Sequence, residues 1–154
     1  MADTIATHAS PAWRHRSNWI IVVDLAQHGM PGRREQLWAH TDDERVFELC
    51  CIPYFTYGLA LGDLVSWDTE SEAVEVVSPS GRRVIRVAFM DRVDAAVAHD
   101  GLHGELIGTG CLVEFKGDGY GAIDIETERQ AQLVAQLLNP WAEAGRVMWE
   151  WASG

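Results

Sequence analysis

The chain predicts an α+β fold, a small antiparallel β-barrel-like half followed by a βαββαβ half. Three observations carry this. Five short β-rich runs separated by turn signals fill residues 18–79. The rhythm changes at "SPSG", residues 78–81. From there to the end, two stretches with helical spacing alternate with four β-type runs. With 154 residues, 47% apolar and 23% charged, the chain has the composition of one folded unit.

Residues 1–17 are expected to be a disordered lead-in, with Trp13 as the anchor. "WIIVVDL" (19–25) is a β-run ended by the Gly- and Pro-bearing "HGMPGRR". "EQLWAHT" (35–41) alternates, with Leu37 and Ala39 on one face and Trp38 and His40 on the other. After the "DDER" turn comes "VFELCCI", with Phe47, Leu49 and Cys51 on one side, so the pair reads as a hairpin. "LVSWD" and "AVEVVS" form a second hairpin around "TESE".

Residues 80–154 form the second subdomain, packed with the first as one compact unit. "RVIRVAF" is a strand. "DRVDAAVAHDGL" has Asp91 as N-cap and Val93, Ala96 and Val97 at helical spacing. "CLVEFKG" and "YGAIDIE" are strands joined through "GDG". "TERQAQLVAQLLNPWAEAG" opens with Thr127 and Gln130 as a capping box, and Val134, Leu137, Leu138 and Trp141 share one face. Pro140 predicts a kink or break near Asn139. "RVMWEWA" closes the order, with Trp149 and Trp151 expected against the helices. This β-α-β-β-α-β order is the ferredoxin-like arrangement.

Alternation sorts the second half into two faces. Ile85, Val87 and Phe89, joined by Val113, Phe115, Ile123 and Ile125, should lie under the helices. Arg86, Glu114, Asp124 and Glu150 then fall on the opposite face, one cation among carboxylates. Two readings follow: a structural ion-pair ladder, or a polar binding face whose surplus acids suit a cationic ligand.

The runs "LWAHTDDERVFELCCIPYFTYGLALGDLVSWD" and "SPSGRRVIRVAF" carry a resemblance. Leu37 to Ala39, Ile52-Pro53, Phe55, Gly58, Gly62-Asp63, Ser80-Gly81 and Arg86-Val87 fall in order along it. The chain resembles the bacterial domain-of-unknown-function family numbered 4265, over roughly residues 33–150. The family pattern has a histidine after the Ser-Gly pair; Arg82 stands there and takes no role from it. The resemblance implies a fold and no chemistry.

Within "CCIPYFTYGLALGDLV", Pro53 ends a strand, Gly58 and Gly62 supply unusual backbone angles, and Asp63 is placed to bind turn amides. Tyr54, Phe55 and Tyr57 either plug the seam between the halves or line a wet-edged pocket. "HDGLHGE" brings His99, Asp100, His103 and Glu105 close in sequence, but Gly101 and Gly104 predict a solvated helix end, so no metal site is expected. Asp124 and Glu150 are the acids available for acid–base work, but no nucleophile–base pair, phosphate loop or dinucleotide fingerprint accompanies them. No catalytic residue and no cofactor are expected.

Acidic residues outnumber basic ones 23 to 12, for a net charge of −11. Such a surface disfavours nucleic acid and anionic membrane and favours a basic protein partner. Seven tryptophans add to the case for a protein-binding surface. Three cysteines in apolar runs, no membrane-length apolar run and no signal-peptide core favour the cytoplasm. The functional expectation is therefore a non-catalytic cytoplasmic protein-binding domain of the immunity or antitoxin type, masking a basic partner. The alternative is a small-molecule sensor using the ferredoxin-like sheet face.

Overall fold

A computed structural model describes residues 4–90, 95–117 and 119–153, with the main chain alone over 95–100. The expected cap Asp91, Val93 and the side chains of Ala96, Val97, His99 and Asp100 lie outside the described residues, as does Asp118 of the "GDG" turn.

The first sheet is built from β1 (Thr4–Ala6), β2 (Trp19–Asp24), β3 (Arg33–His40), β4 (Phe47–Leu49), β5 (Leu64–Asp68) and β6 (Ala73–Ser78). Its order is β1-β3-β4-β5-β6, with β2 on the other edge of β3. The two expected hairpins form: Ala39 pairs with Leu49, and Trp67 with Val74. Leu37, Ala39, Phe47, Leu49 and Cys51 share the buried face with Ile21, Val23 and Val65.

Two expectations need correction. The sheet curls but stays open instead of closing into a barrel. Where a closing ladder would run, the Trp67 indole donates to the Val22 carbonyl at 2.9 Å and the Asp24 N–H to the Glu72 carbonyl. The edge of β2 thus meets the β5–β6 hairpin through these bonds, with no β2–β6 ladder among the described residues of the sheet. Residues 4–17 are also no disordered lead-in. β1 pairs in parallel with β3 through Thr4–Arg33 to Ala6–Glu35, and the Trp13 N–H donates to the Cys50 carbonyl. His8 is buried beyond β1, and the Trp13 ring packs at the seam between the sheets.

The second sheet is antiparallel, in the order β10-β7-β9-β8. Its elements are β7 (Arg83–Phe89), α1 (Ala95–Gly108), β8 (Val113–Lys116), β9 (Tyr120–Ile125), α2 (Glu128–Glu143) and β10 (Val147–Ser153). Ile85, Val87, Phe89, Ile123 and Ile125 pack beneath Leu102 and Leu106 of α1 and Val134 and Leu138 of α2. The opposite face of this sheet lies on the first half, where Val84, Ala122 and Ala152 meet Ile52, Tyr54, Ala60 and Leu61.

Both helices run further than their sequence suggests. α1 continues through Gly101 and Gly104, so "HDGLHGE" is no helix end. Each glycine costs about 1 kcal/mol in a helix, but Leu102 and Leu106 lie between and beyond them, fully buried. α2 opens on the expected Thr127–Gln130 capping box and passes Pro140 without stopping at Asn139. Pro140 sits in the last turn, and the carbonyl it leaves without an N–H belongs to Gln136, an exposed residue on the solvent side of the helix. Trp149 packs against the helical core as expected, whereas Trp151 turns outward and lies 4.3 Å from the Arg83 guanidinium. A register shift in β10 between Trp151 and Ser153 accompanies that turn.

Gly62 combines a φ of +82° with a Cβ direction only 3.2 Å from both the Trp13 ring and the Ser80 Cβ, while Gly58 has a φ of +81° and open space. Gly62→Ala should therefore cost about 1–3 kcal/mol and Gly58→Ala about 1 kcal/mol, the difference reporting the Trp13 contact. Urea unfolding of the two variants checks this.

Candidate functional site

The alternation that buries Leu37 and Ala39 also buries Glu35, two residues before them on β3. A carboxylate fully removed from water needs its acceptor sites filled. The loop after β4 does this: the N–H groups of Tyr54, Phe55 and Thr56 and the Thr56 hydroxyl all donate to Glu35, at 2.6–3.1 Å. Glu114 of β8 is likewise buried and accepts from the N–H groups of Ala12 and Ile52.

Between these acids sits His8. Its Nε2 is 2.8 Å from Glu35 and its Nδ1 2.8 Å from Glu114. A neutral imidazole has one N–H and would present a lone pair to one carboxylate, so this geometry selects the imidazolium. Burial alone would depress the His8 pKa, but the hydrogen bonds and charges of Glu114 and Glu35 outweigh it and hold it at about 9. Burial likewise pushes the Glu35 pKa up, and the bond to His8 brings it below the ordinary value. The Tyr54 ring stacks on the imidazolium, 4.1 Å away and 2° from parallel. Tyr54 donates its hydroxyl to the Phe115 carbonyl and accepts at its own carbonyl from the Tyr120 hydroxyl.

The stretch "CCIPYFTYGLALGDLV" is thus a connection whose amides cradle a buried acid. Asp63 plays the expected turn role, accepting from the N–H groups of Ala60 and Ser80. Tyr54 and Phe55 fill the seam, with Phe55 stacked on Tyr120 at 5.1 Å. Tyr57 differs: it is 44% exposed at the rim.

Arg86, Glu114, Asp124 and Glu150 do share the face opposite the helices, but they form no ladder. Asp124 pairs with Arg82, which also lies over the Trp13 ring and near Glu126. Burial pushes the Asp124 pKa up to about 6, against the pull of Arg82. Glu114 belongs to His8. Glu150 accepts from the Tyr57 hydroxyl at 2.6 Å. Arg86, only 3% exposed, donates to the Thr56 carbonyl at 2.6 Å and lies 4.3 Å from the Tyr57 ring, while its Nε has no hydrogen-bond partner among the described residues. Burial and the Arg86 charge lower the pKa of His28, whose Nδ1 accepts from the Tyr57 N–H. Asp124 and Glu150 stand opposite different residues of β7, Val84 and Arg86, and do not face one another as an acid–base pair.

A groove of about 260 Å³ opens beside Arg86, with Ala88, Tyr120, Met148, Trp149 and Glu150 on its walls. Sequence reasoning set Arg86, Glu114, Asp124 and Glu150 on one sheet face, where they lie, and missed His8, Glu35 and His28. Glu35 had a signal: it sits in phase with Leu37 and Ala39. His8 and His28 had none. The three cysteines are buried and free. Among the described residues no helix is long and apolar enough to cross a membrane, and no cluster of metal-ligating side chains forms. His103 lies inside α1 with its ring against Phe115.

Fold and site define an α+β domain with two sheets, joined through a buried Glu–His–Glu triad. A crystal structure of a hypothetical protein from Neisseria gonorrhoeae is similar, with a TM-score of 0.63 and 20% identity over 78% of this chain and 83% of that one, a likeness of fold. The chain belongs to the family described as Domain of unknown function (DUF4265), whose model matches residues 35–149. No curated protein matches it.

The triad sets a pH dependence. The folded pKa of His8, about 9, stands above its ordinary 6.5. Its contribution is therefore whole below pH 6.5 and is lost as pH climbs to about 9. At about 1.4 kcal/mol per pH unit, that contribution is roughly 3 kcal/mol. Glu35, with its lowered pKa, acts in the opposite direction and withdraws stability on acidification, while Asp124, raised to about 6, adds stability as pH falls through that value. His8→Gln should cost about 3–5 kcal/mol at pH 6 and flatten the alkaline limb. Denaturant unfolding of both proteins from pH 5 to 10 measures this; an unchanged alkaline limb in the variant counts against the triad.

Proposed function

We propose that this protein is a non-catalytic, cytoplasmic small-molecule-binding domain, with its ligand seated in the Arg86 groove. The order β10-β7-β9-β8 with both helices on one face supports reading its second half as ferredoxin-like, with the ligand on the sheet face away from the helices. The observation that carries the reading is Arg86. It is a guanidinium withdrawn from water, with no carboxylate bonded to it among the described residues, at the wall of a groove with apolar sides. A regulatory role fits, because the Thr56 carbonyl and Tyr57, which hold Arg86, belong to the loop that also cradles Glu35. A fragment panel followed by NMR at the Met148 methyl and the Arg86 Nε–H tests this. Shifts confined to the groove are expected; a panel that leaves both signals unmoved counts against the reading.

A second reading has its own observation, the excess of 23 acidic over 12 basic residues. It makes the protein an immunity or antitoxin-type domain that masks a basic partner. Native mass spectrometry with the products of adjacent genes should then show a complex whose affinity falls steeply with salt. A complex indifferent to salt, or none, removes it.

A further inference from the structure

The groove carries two opposite charges on one cross-strand pair. Arg86 on β7 and Glu150 on β10 are register partners, so their Cβ atoms lie ~5 Å apart. Neither is neutralised by the other. Arg86 is turned toward the Thr56 carbonyl and the Tyr57 ring, and the Tyr57 hydroxyl binds one oxygen of Glu150. A carboxylate has about four lone-pair sites, so Glu150 keeps acceptor capacity after that bond. The Arg86 Nε, buried like the rest of its side chain, keeps a donor without a partner among the described residues. The remaining walls are apolar: Ala88, the Tyr120 ring and Met148, which is 62% exposed on this face.

These groups ask for complementary parts in one molecule. A carboxylate suits the guanidinium, because charge-assisted pairing offsets its desolvation. A dianion is disfavoured by Glu150 beside it and by the acidic surface around it. An ammonium suits Glu150. An apolar body suits the walls. The volume of about 260 Å³ sits just under the ~300 Å³ at which drug-sized pockets begin, so the molecule is small.

We infer that the groove takes a small amphoteric molecule of the α-amino-acid type, its carboxylate on Arg86, its ammonium toward Glu150 and its apolar side chain along Ala88, Tyr120 and Met148. This rests on the small-molecule reading above and gives it a ligand class. The head group spans the same cross-strand pair that the two charges occupy, which fixes its direction in the groove.

Three probes share one apolar body and separate the charges: L-phenylalanine, 3-phenylpropionate and phenethylamine. Titration of each into the full chain at pH 7, read at the Met148 methyl, should show L-phenylalanine binding at least about tenfold tighter than either single-charge probe. In Glu150→Gln, an exposed-residue change that leaves the core untouched, L-phenylalanine should weaken about tenfold and 3-phenylpropionate should not weaken. Arg86→Met should abolish the response to L-phenylalanine, with circular dichroism confirming that the variant is folded. If phenethylamine binds as well as L-phenylalanine, or if Glu150→Gln leaves the preference intact, the inference is overturned. If none of the three binds while another fragment class shifts the Met148 methyl, the inference fails and the small-molecule reading stands. If no fragment of any class shifts it, both fail.

Discussion

A protonated histidine held between two buried carboxylates is the constraint on which this fold turns. Glu35 comes from the first sheet, Glu114 from the second and His8 from the N-terminal segment, so one cation ties three parts of the chain. Desolvating these ions costs several kcal/mol each, and an ion pair of this kind is weak grounds for stability by itself. What offsets the cost is complete satisfaction. Glu35 collects four donors besides His8, and Glu114 two. The donors are backbone amides of the Ile52–Thr56 loop and of Ala12, plus one hydroxyl. The triad therefore dictates the path of the loop after β4 and the docking of the segment before the short 3-10 turn at Arg14–Arg16, and any other path strands a buried charge.

From this the candidate site follows. The loop that Glu35 holds by the amides of Tyr54, Phe55 and Thr56 is the loop that offers its Thr56 carbonyl to Arg86 and sets Tyr57 over the guanidinium. Glu150 then bonds Tyr57 and stays clear of a direct pair with Arg86. A groove residue is thus positioned by an acid on the other sheet. The segment that cradles Glu35 is the one that carries Thr56 and Tyr57, so triad and groove share one loop.

Much of the second half was legible because its signals are local and repeat. Period-two alternation sent Ile85, Val87 and Phe89 to the helices and Arg86 the other way, and the Thr127–Gln130 box fixed the start of α2. Legibility failed where a long-range contact overrides a local preference. Gly101 and Gly104 read as breakers, but burial of Leu102 and Leu106 against the sheet carries α1 through them. Five antiparallel runs read as a barrel, but closure depends on a pairing between strands distant in sequence, and β2 meets the β5–β6 hairpin through the Trp67 indole and one main-chain bond without a ladder among the described residues. The N-terminal segment is polar and short, with no periodicity, so nothing in it announces that His8 is the keystone. Glu35 was within reach, since "EQLWAH" places it in register with the apolar face, and a charge in an apolar phase asks for a partner.

The site also separates two meanings of charge that composition merges. A net charge of −11 describes the field that a distant partner meets, and it favours a cation. Recognition happens at a few ångströms, where the sign is set by which groups have already been neutralised. Of the acids that alternation placed around Arg86, Glu114 bonds His8, and Asp124 bonds Arg82 through one oxygen while the other is buried without a partner among the described residues. Glu150 remains, half engaged by Tyr57. The carboxylates that the sequence promises on this face thus bond other groups, and none among the described residues bonds the guanidinium, whose Nε is left without an acceptor. An acidic protein thus presents, at the groove beside Arg86, a demand for an anionic group flanked by a single acid, which is the pattern of a zwitterion and not of the cation that the overall charge suggests.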